Sequence, residues 1–97
     1  MAVQVMIKRK FNVDNPEKLI PLLTKLRTQV KEQPGYIAGE TLRSLDNSEN
    51  YLIFSKWETA DDWKKWFNSK ERRDIQGEVD SLIGEKTFYE IFEPVSH

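Results

Sequence analysis

Twice along this chain the apolar residues change their period from two to three-and-four and then return, and that switching allows few architectures. Over residues 3–11, Val3, Val5 and Ile7 alternate with Gln4, Met6 and Lys8, the mark of a half-buried strand. Asn15-Pro16-Glu17 then supplies a cap, a proline suited to a first helical turn and an acid for the positive end of the helix dipole. Leu19, Leu22, Leu23, Leu26 and Val30 recur at spacings of three and four until Gln33-Pro34-Gly35 breaks the pattern. Pro21 sits inside it and deletes one backbone donor, so an offset or kinked first turn is expected. Residues 36–45 and 51–57 read as two strands flanking Asp46-Asn47-Ser48-Glu49-Asn50, a polar turn of hairpin length.

The second switch lies in the segment from Trp57 to Gln76, which holds all three tryptophans. Thr59, with Asp62 three residues on, reads as a variant capping box, so a helix is expected from near Ala60. Trp63, Trp66 and Phe67 share one face of it, while Asp61, Asp62, Lys64 and Lys65 turn to water. Most of such a stripe is core. A ring at its margin, here Trp66, can instead wall a pocket for a flat ligand, because indole packs flat and carries an N–H donor.

After Asn68-Ser69 a further helical piece runs to about Ile83 on Ile75, Val79, Leu82 and Ile83; Gly77 weakens it and Gly84 ends it. Residues 87–92 form a last strand, closed by Pro94. The order strand, helix, strand, strand, helix, strand predicts an α+β, ferredoxin-like domain over residues 1–97, a four-stranded antiparallel sheet with helices on one face. The strands carry large apolar groups on both sides: Tyr51, Ile53 and Trp57 against Leu52 and Phe54, Tyr89 and Ile91 against Phe88 and Phe92. A second copy is therefore expected on the uncovered face, making a homodimer.

Composition narrows the chemistry. There is no cysteine among the 97 residues, which excludes disulfides, thiolate nucleophiles and zinc–thiolate or iron–sulfur sites. The one histidine, His97, reads as a frayed end, so no metal site is expected. Fifteen basic and sixteen acidic side chains are interleaved, with Lys8, Arg9 and Lys10 alternating sides of a strand, and Arg72 and Arg73 among Lys70, Glu71 and Asp74 as on a solvated helix face. No basic stripe suggests nucleic acid. No apolar run reaches the roughly 20 residues of a membrane helix, and the basic residues follow the first apolar stretch where a leader would have them precede it, so a cytoplasmic location is expected.

The stretch PGYIAGETLRSLDNSENYLIFSKWETADDWKKWFNSKERRDIQ resembles the antibiotic biosynthesis monooxygenase domain, the dimeric α+β barrel. Its marks are Pro34-Gly35 before the second strand, Arg43-Ser44 with Asp46 before the hairpin turn, Trp57-Glu58 at the end of the third strand and Ser69 after the short helix. Two branches can be set against these residues. In the heme-degrading branch a tryptophan in the short helix, a histidine ten residues later and a first-strand asparagine form the site. Trp66 matches the tryptophan, but the histidine position falls on Gln76, and a gap-free count puts Lys8 at the asparagine, with Asn12 the nearest alternative. Without an internal histidine, histidine-ligated heme degradation does not fit.

In the quinone-forming branch, oxygenation of polycyclic phenols needs no cofactor, and asparagine, tryptophan and tyrosine surround the substrate. Trp66 is again the match, with Asn68, Tyr36 and Tyr89 available in type. A donor near the ring would come from Trp66, Gln76, Arg72 or Arg73, each also readable as an ordinary surface or core residue. Glu58 resembles a general base, but at its corner it is expected to cap backbone N–H groups of the next helix. The resemblance thus implies a cofactor-free monooxygenase on a small flat phenol or quinone. The alternative is a non-catalytic ligand-binding dimer of the same fold.

Overall fold

A computed structural model of the protein describes residues 2–11, 16–84 and 86–96. Seven elements follow in order: β1 (Val3–Lys10), α1 (Pro16–Val30), β2 (Tyr36–Arg43), β3 (Asn50–Trp57), α2 (Ala60–Phe67), α3 (Lys70–Ile83) and β4 (Phe88–Phe92). The strands make one antiparallel sheet in the order β2-β3-β1-β4, so the expected ferredoxin-like arrangement is the observed one. Asn12, Asn15 and His97 lie outside the described residues.

Local chemistry explains the boundaries. Thr59 is the N-cap of α2: its hydroxyl oxygen accepts the Asp62 N–H at 3.1 Å and its O–H donates to the Asp62 carboxylate at 2.8 Å. Glu58, expected to share that duty, is exposed and makes no capping bond. Ser69 caps α3, its Oγ accepting the Arg72 N–H at 3.3 Å while its O–H donates to the Trp66 carbonyl at 2.8 Å, and α3 ends at Gly84, whose φ of 71° is the left-handed cap that glycine adopts without strain. The β2–β3 turn is held by Ser44 Oγ, which accepts the N–H groups of Asp46 and Asn47. α1 runs unbroken through Pro21, which is exposed.

Cross-strand partners share a face of a sheet. Val3, Val5 and Ile7 pair with Trp57, Ser55 and Ile53, and all point toward the helices. Their core partners are Leu19 and Leu26 of α1, Trp63 and Trp66 of α2, and Ile75, Val79 and Ile83 of α3. Trp57 is fully enclosed, its indole N–H donating to Ser55 Oγ at 3.0 Å, with Tyr36 and Trp63 meeting it edge to face. Gly35 carries a φ of 83°, and a Cβ there would collide with the Asp62 carboxylate, so only glycine brings the β2 entry this close to α2.

One irregularity matters for the site. Tyr36 pairs with Trp57 and Ala38 with Lys56, so Ile37 is an extra residue in β2. The bulge shifts the parity and puts Tyr36 on the same face as Gly39 and Thr41, which oppose Ser55 and Ile53. A Cβ on Gly39 would press against the Tyr36 hydroxyl and the Phe54 carbonyl, so the glycine makes room for that ring.

Candidate active site

Between α1, α3 and the helix-facing side of the sheet lies a cavity of about 320 Å³. Trp63 and Trp66 wall it from α2, Tyr36 and Thr41 from β2, Leu23, Leu26 and Val30 from α1, and Ile53 from β3. Arg9 enters from β1, Arg72 and Gln76 from α3, and Tyr89 from β4. Arg27 and Lys31, both exposed, stand at its rim. Apolar walls with a few convergent polar groups are the usual character of a small-molecule site.

Of the residues singled out in the sequence, Trp66, Arg72, Gln76, Tyr36 and Tyr89 therefore meet around one space, and Arg73 and Asn68 do not. Arg73 is on the solvent side of α3, and Asn68 is the exposed C-cap of α2. Trp63, expected to be core alone, is both core and wall. Among the described residues neither Trp63 nor Trp66 has a hydrogen-bond acceptor for its indole N–H, in contrast to Trp57.

Arg72 corrects the expectation of a solvated helix face. It is 7% exposed and forms no ion pair among the described residues. Its Nε donates to the Phe67 carbonyl at 2.8 Å and its Nη1 to the Tyr89 hydroxyl at 3.0 Å, and the guanidinium stacks over the Phe67 ring at 4.2 Å. Gln76, equally readable as surface, is 5% exposed. Its amide nitrogen donates to the Asp80 carboxylate at 2.8 Å and more weakly to Thr87 Oγ1 at 3.3 Å, and its amide oxygen accepts from Arg9 Nη2 at 2.8 Å. That orientation is forced, since a carboxylate only accepts and a guanidinium only donates.

Arg9 was not singled out by sequence reasoning, which read the basic run only as alternating sides of a strand and placed Lys8 at the first-strand asparagine position. Lys8 is exposed, pairs with Leu52 and lies on the far face. Arg9 continues the parity of Val3, Val5 and Ile7, and that continuation was the available signal. Burial lowers its pKa from the usual guanidinium value; nearby Tyr89 and Asp80 offset part of this, and Arg72 adds to the lowering. Tyr36 has its phenol pKa raised, by partial desolvation with a smaller opposing effect of Arg27, so it stays protonated through neutral pH.

Comparison with known proteins identifies this architecture. A model of the antibiotic biosynthesis monooxygenase family matches residues 2–78. The chain belongs to that family. Among characterised sequences, Protein SchA of Streptomyces halstedii is 26% identical over 73 residues, covering 75% of this chain and 19% of that protein. The chain spans about a fifth of the length of the curated relatives it matches. In three dimensions it is similar to a conserved protein from Methanosarcina mazei Go1, with a TM-score of 0.83 at 16% identity over 95% of this chain and 91% of that one. It is also similar to SnoaB, a cofactor-independent oxygenase from Streptomyces nogalater, with a TM-score of 0.78 at 14% identity over 99% and 94% of the two chains. These structural likenesses show the fold. Among the described residues no helix is long and apolar enough to cross a membrane, and no group of three or more histidine, cysteine or acidic side chains is placed to hold a metal ion.

Proposed function

We propose that this family member is a cofactor-independent monooxygenase acting on a small flat phenol. The observation that carries the reading is the aromatic-walled cavity, in which two indole N–H groups lack acceptors among the described residues and the guanidinium groups of Arg9 and Arg72 converge. Flat walls orient a ring, and fixed donors stabilise negative charge as it develops on a ring oxygen. The chemistry asks for little more. A phenolate passes one electron to dioxygen, the radical pair combines at the para carbon, and the resulting hydroperoxide loses water. A phenol bearing a para C–H thus yields a quinone, dioxygen being reduced to one oxygen in the product and one in water. The substrate supplies all the electrons, so no external reductant enters the balance.

An oxygen electrode with a panel of naphthols and anthrones tests this. The expected result is uptake of one dioxygen per quinone formed, abolished by boiling. Ligand binding without oxygen uptake across the panel would replace this reading with that of a non-catalytic binder.

The same reading includes a homodimer, supported by the sheet face that the helices leave uncovered. Leu42, Leu52, Lys8 and Phe88 form one row across all four strands, and Phe54 and Met6 lie between Glu40 and Glu90 in the next. Phe88 is 61% exposed, Leu42 42% and Phe92 41%. Sedimentation equilibrium should give twice the chain mass, since a stable interface buries roughly 1,200 Å² or more. Phe54→Glu should shift the mass toward that of one chain, because it would place an unpaired charge in the contact.

A further inference from the structure

We propose that the ligand of this cavity binds as an oxyanion and that Arg9 is the residue that holds its charged oxygen. The inference rests on the reading of the cavity as a site for flat aromatic molecules and adds the ionisation state of the ligand and the group that selects it.

Three guanidinium groups line the cavity, Arg27 at its exposed rim and Arg9 and Arg72 within it, and the hydrogen bonding of the inner two differs. Arg72 is committed: Nε and Nη1 both have protein acceptors, and its flat face is stacked on Phe67. Arg9 donates from Nη2 to Gln76 Oε1 and has the Tyr89 hydroxyl beside it, while its Nε–H is buried without any partner. No carboxylate among the described residues lies within ion-pair distance of it. A largely desolvated cation with an orphaned donor destabilises the fold that carries it, so its presence calls for a ligand that supplies what the protein does not.

What surrounds Arg9 fits an anion. Gln76 is itself pinned by Asp80 and Thr87, so Arg9 is held at one Nη and its remaining donors are set in place before a ligand arrives. The titratable and charged groups around the cavity are Arg72 and Asp80 from α3, Tyr89 from β4, Arg27 and Lys31 from α1, and Tyr36 and Glu40 from β2. Cations outnumber carboxylates among them, and Asp80 is engaged with Gln76. The substrate class is accordingly an acidic phenol or enol that is ionised before it binds. Deprotonation then needs no base in the protein, which agrees with the lack of a histidine or a buried free carboxylate among the residues that line the cavity.

The test uses lawsone, a hydroxynaphthoquinone ionised at neutral pH, and its methyl ether, which has the same ring system and no charge. Quenching of the fluorescence of Trp63 and Trp66 reports binding of either. The intact protein should bind lawsone more tightly than the ether by about tenfold to a hundredfold, the equivalent of a charge-assisted hydrogen bond. Arg9→Met should abolish that preference while leaving the ether's affinity within about twofold. A second measurement needs no variant. As pH falls through the ionisation of lawsone itself, its affinity for the parent protein should decline to that of the ether. Equal affinity for the two ligands, a preference surviving in Arg9→Met, or equal loss of both ligands in that variant would each overturn the role of Arg9. Failure of the parent protein to bind either ligand would overturn the aromatic-site reading, and this inference with it.

Discussion

The aromatic cluster around Trp57 and the cavity beside Trp66 use the same residue types in one layer of the molecule, yet one is sealed and the other is open. In the cluster the central indole is satisfied: the Trp57 N–H has Ser55, and the rings of Tyr36 and Trp63 close over it at 5.4 and 5.8 Å. Beside the cavity the pattern reverses, with Arg9 Nε unpartnered and the Trp66 N–H lacking an acceptor. Unmet hydrogen bonding separates the two more clearly than burial, since Trp57 and Trp66 are 0% and 5% exposed. In the function proposed above, those unpaired donors are the ones that meet the ligand.

The contrast predicts how substitutions divide. The largest effect belongs to the sealed cluster: Trp57→Ala should destabilise the protein by about 3–5 kcal/mol, the range for deleting a buried aromatic, and it strands the Ser55 hydroxyl as well. Urea unfolding measures it, and a loss near zero would show that the cluster is not closed. Trp66→Phe should be milder, on the order of 1 kcal/mol, because the ring it keeps still fills the wall and the N–H it removes has no protein partner. Its signature is instead weaker ligand binding with the melt nearly unchanged. A variant that binds like the parent would make Trp66 ordinary core and erase the distinction. The smallest effect lies outside both regions. Gly77 is exposed in the middle of α3, and a Cβ there meets nothing within 4 Å. Gly77→Ala should stabilise by about 0.5–1 kcal/mol through helix propensity alone, with ligand affinity unmoved. A change in affinity would mean that α3 moves when the cavity is filled.

Much of this molecule was legible residue by residue. The two changes of hydrophobic period set the element order, and Thr59, Ser69 and Gly84 marked helix ends through bonds that span no more than four residues. Such features depend on near neighbours in the chain, so sequence carries them directly. Trp66 also emerged in this way, as the margin of a helical stripe next to the sheet.

The polar side of the site was different. Lys8, Arg9 and Lys10 are alike in type and adjacent in sequence, as are Arg72 and Arg73, yet one of each set lines the cavity and the others do not. Strand parity and helical phase assign each residue a direction. They do not say whether the space in that direction is filled, wet or hollow. That depends on how far α1 and α3 stand from the sheet, which is set by the packing of Leu19, Leu26, Ile75 and Val79 from distant parts of the chain. The bulge at Ile37 is of the same kind, for it turns Tyr36 into the cavity against the simple alternation of its strand. The sequence alone determined the elements, their order and one aromatic wall, because these rest on short-range periodicity and capping. Only the tertiary structure decided which cations are desolvated around the cavity, because burial of charge is a property of residues brought together from β1, α3 and β4.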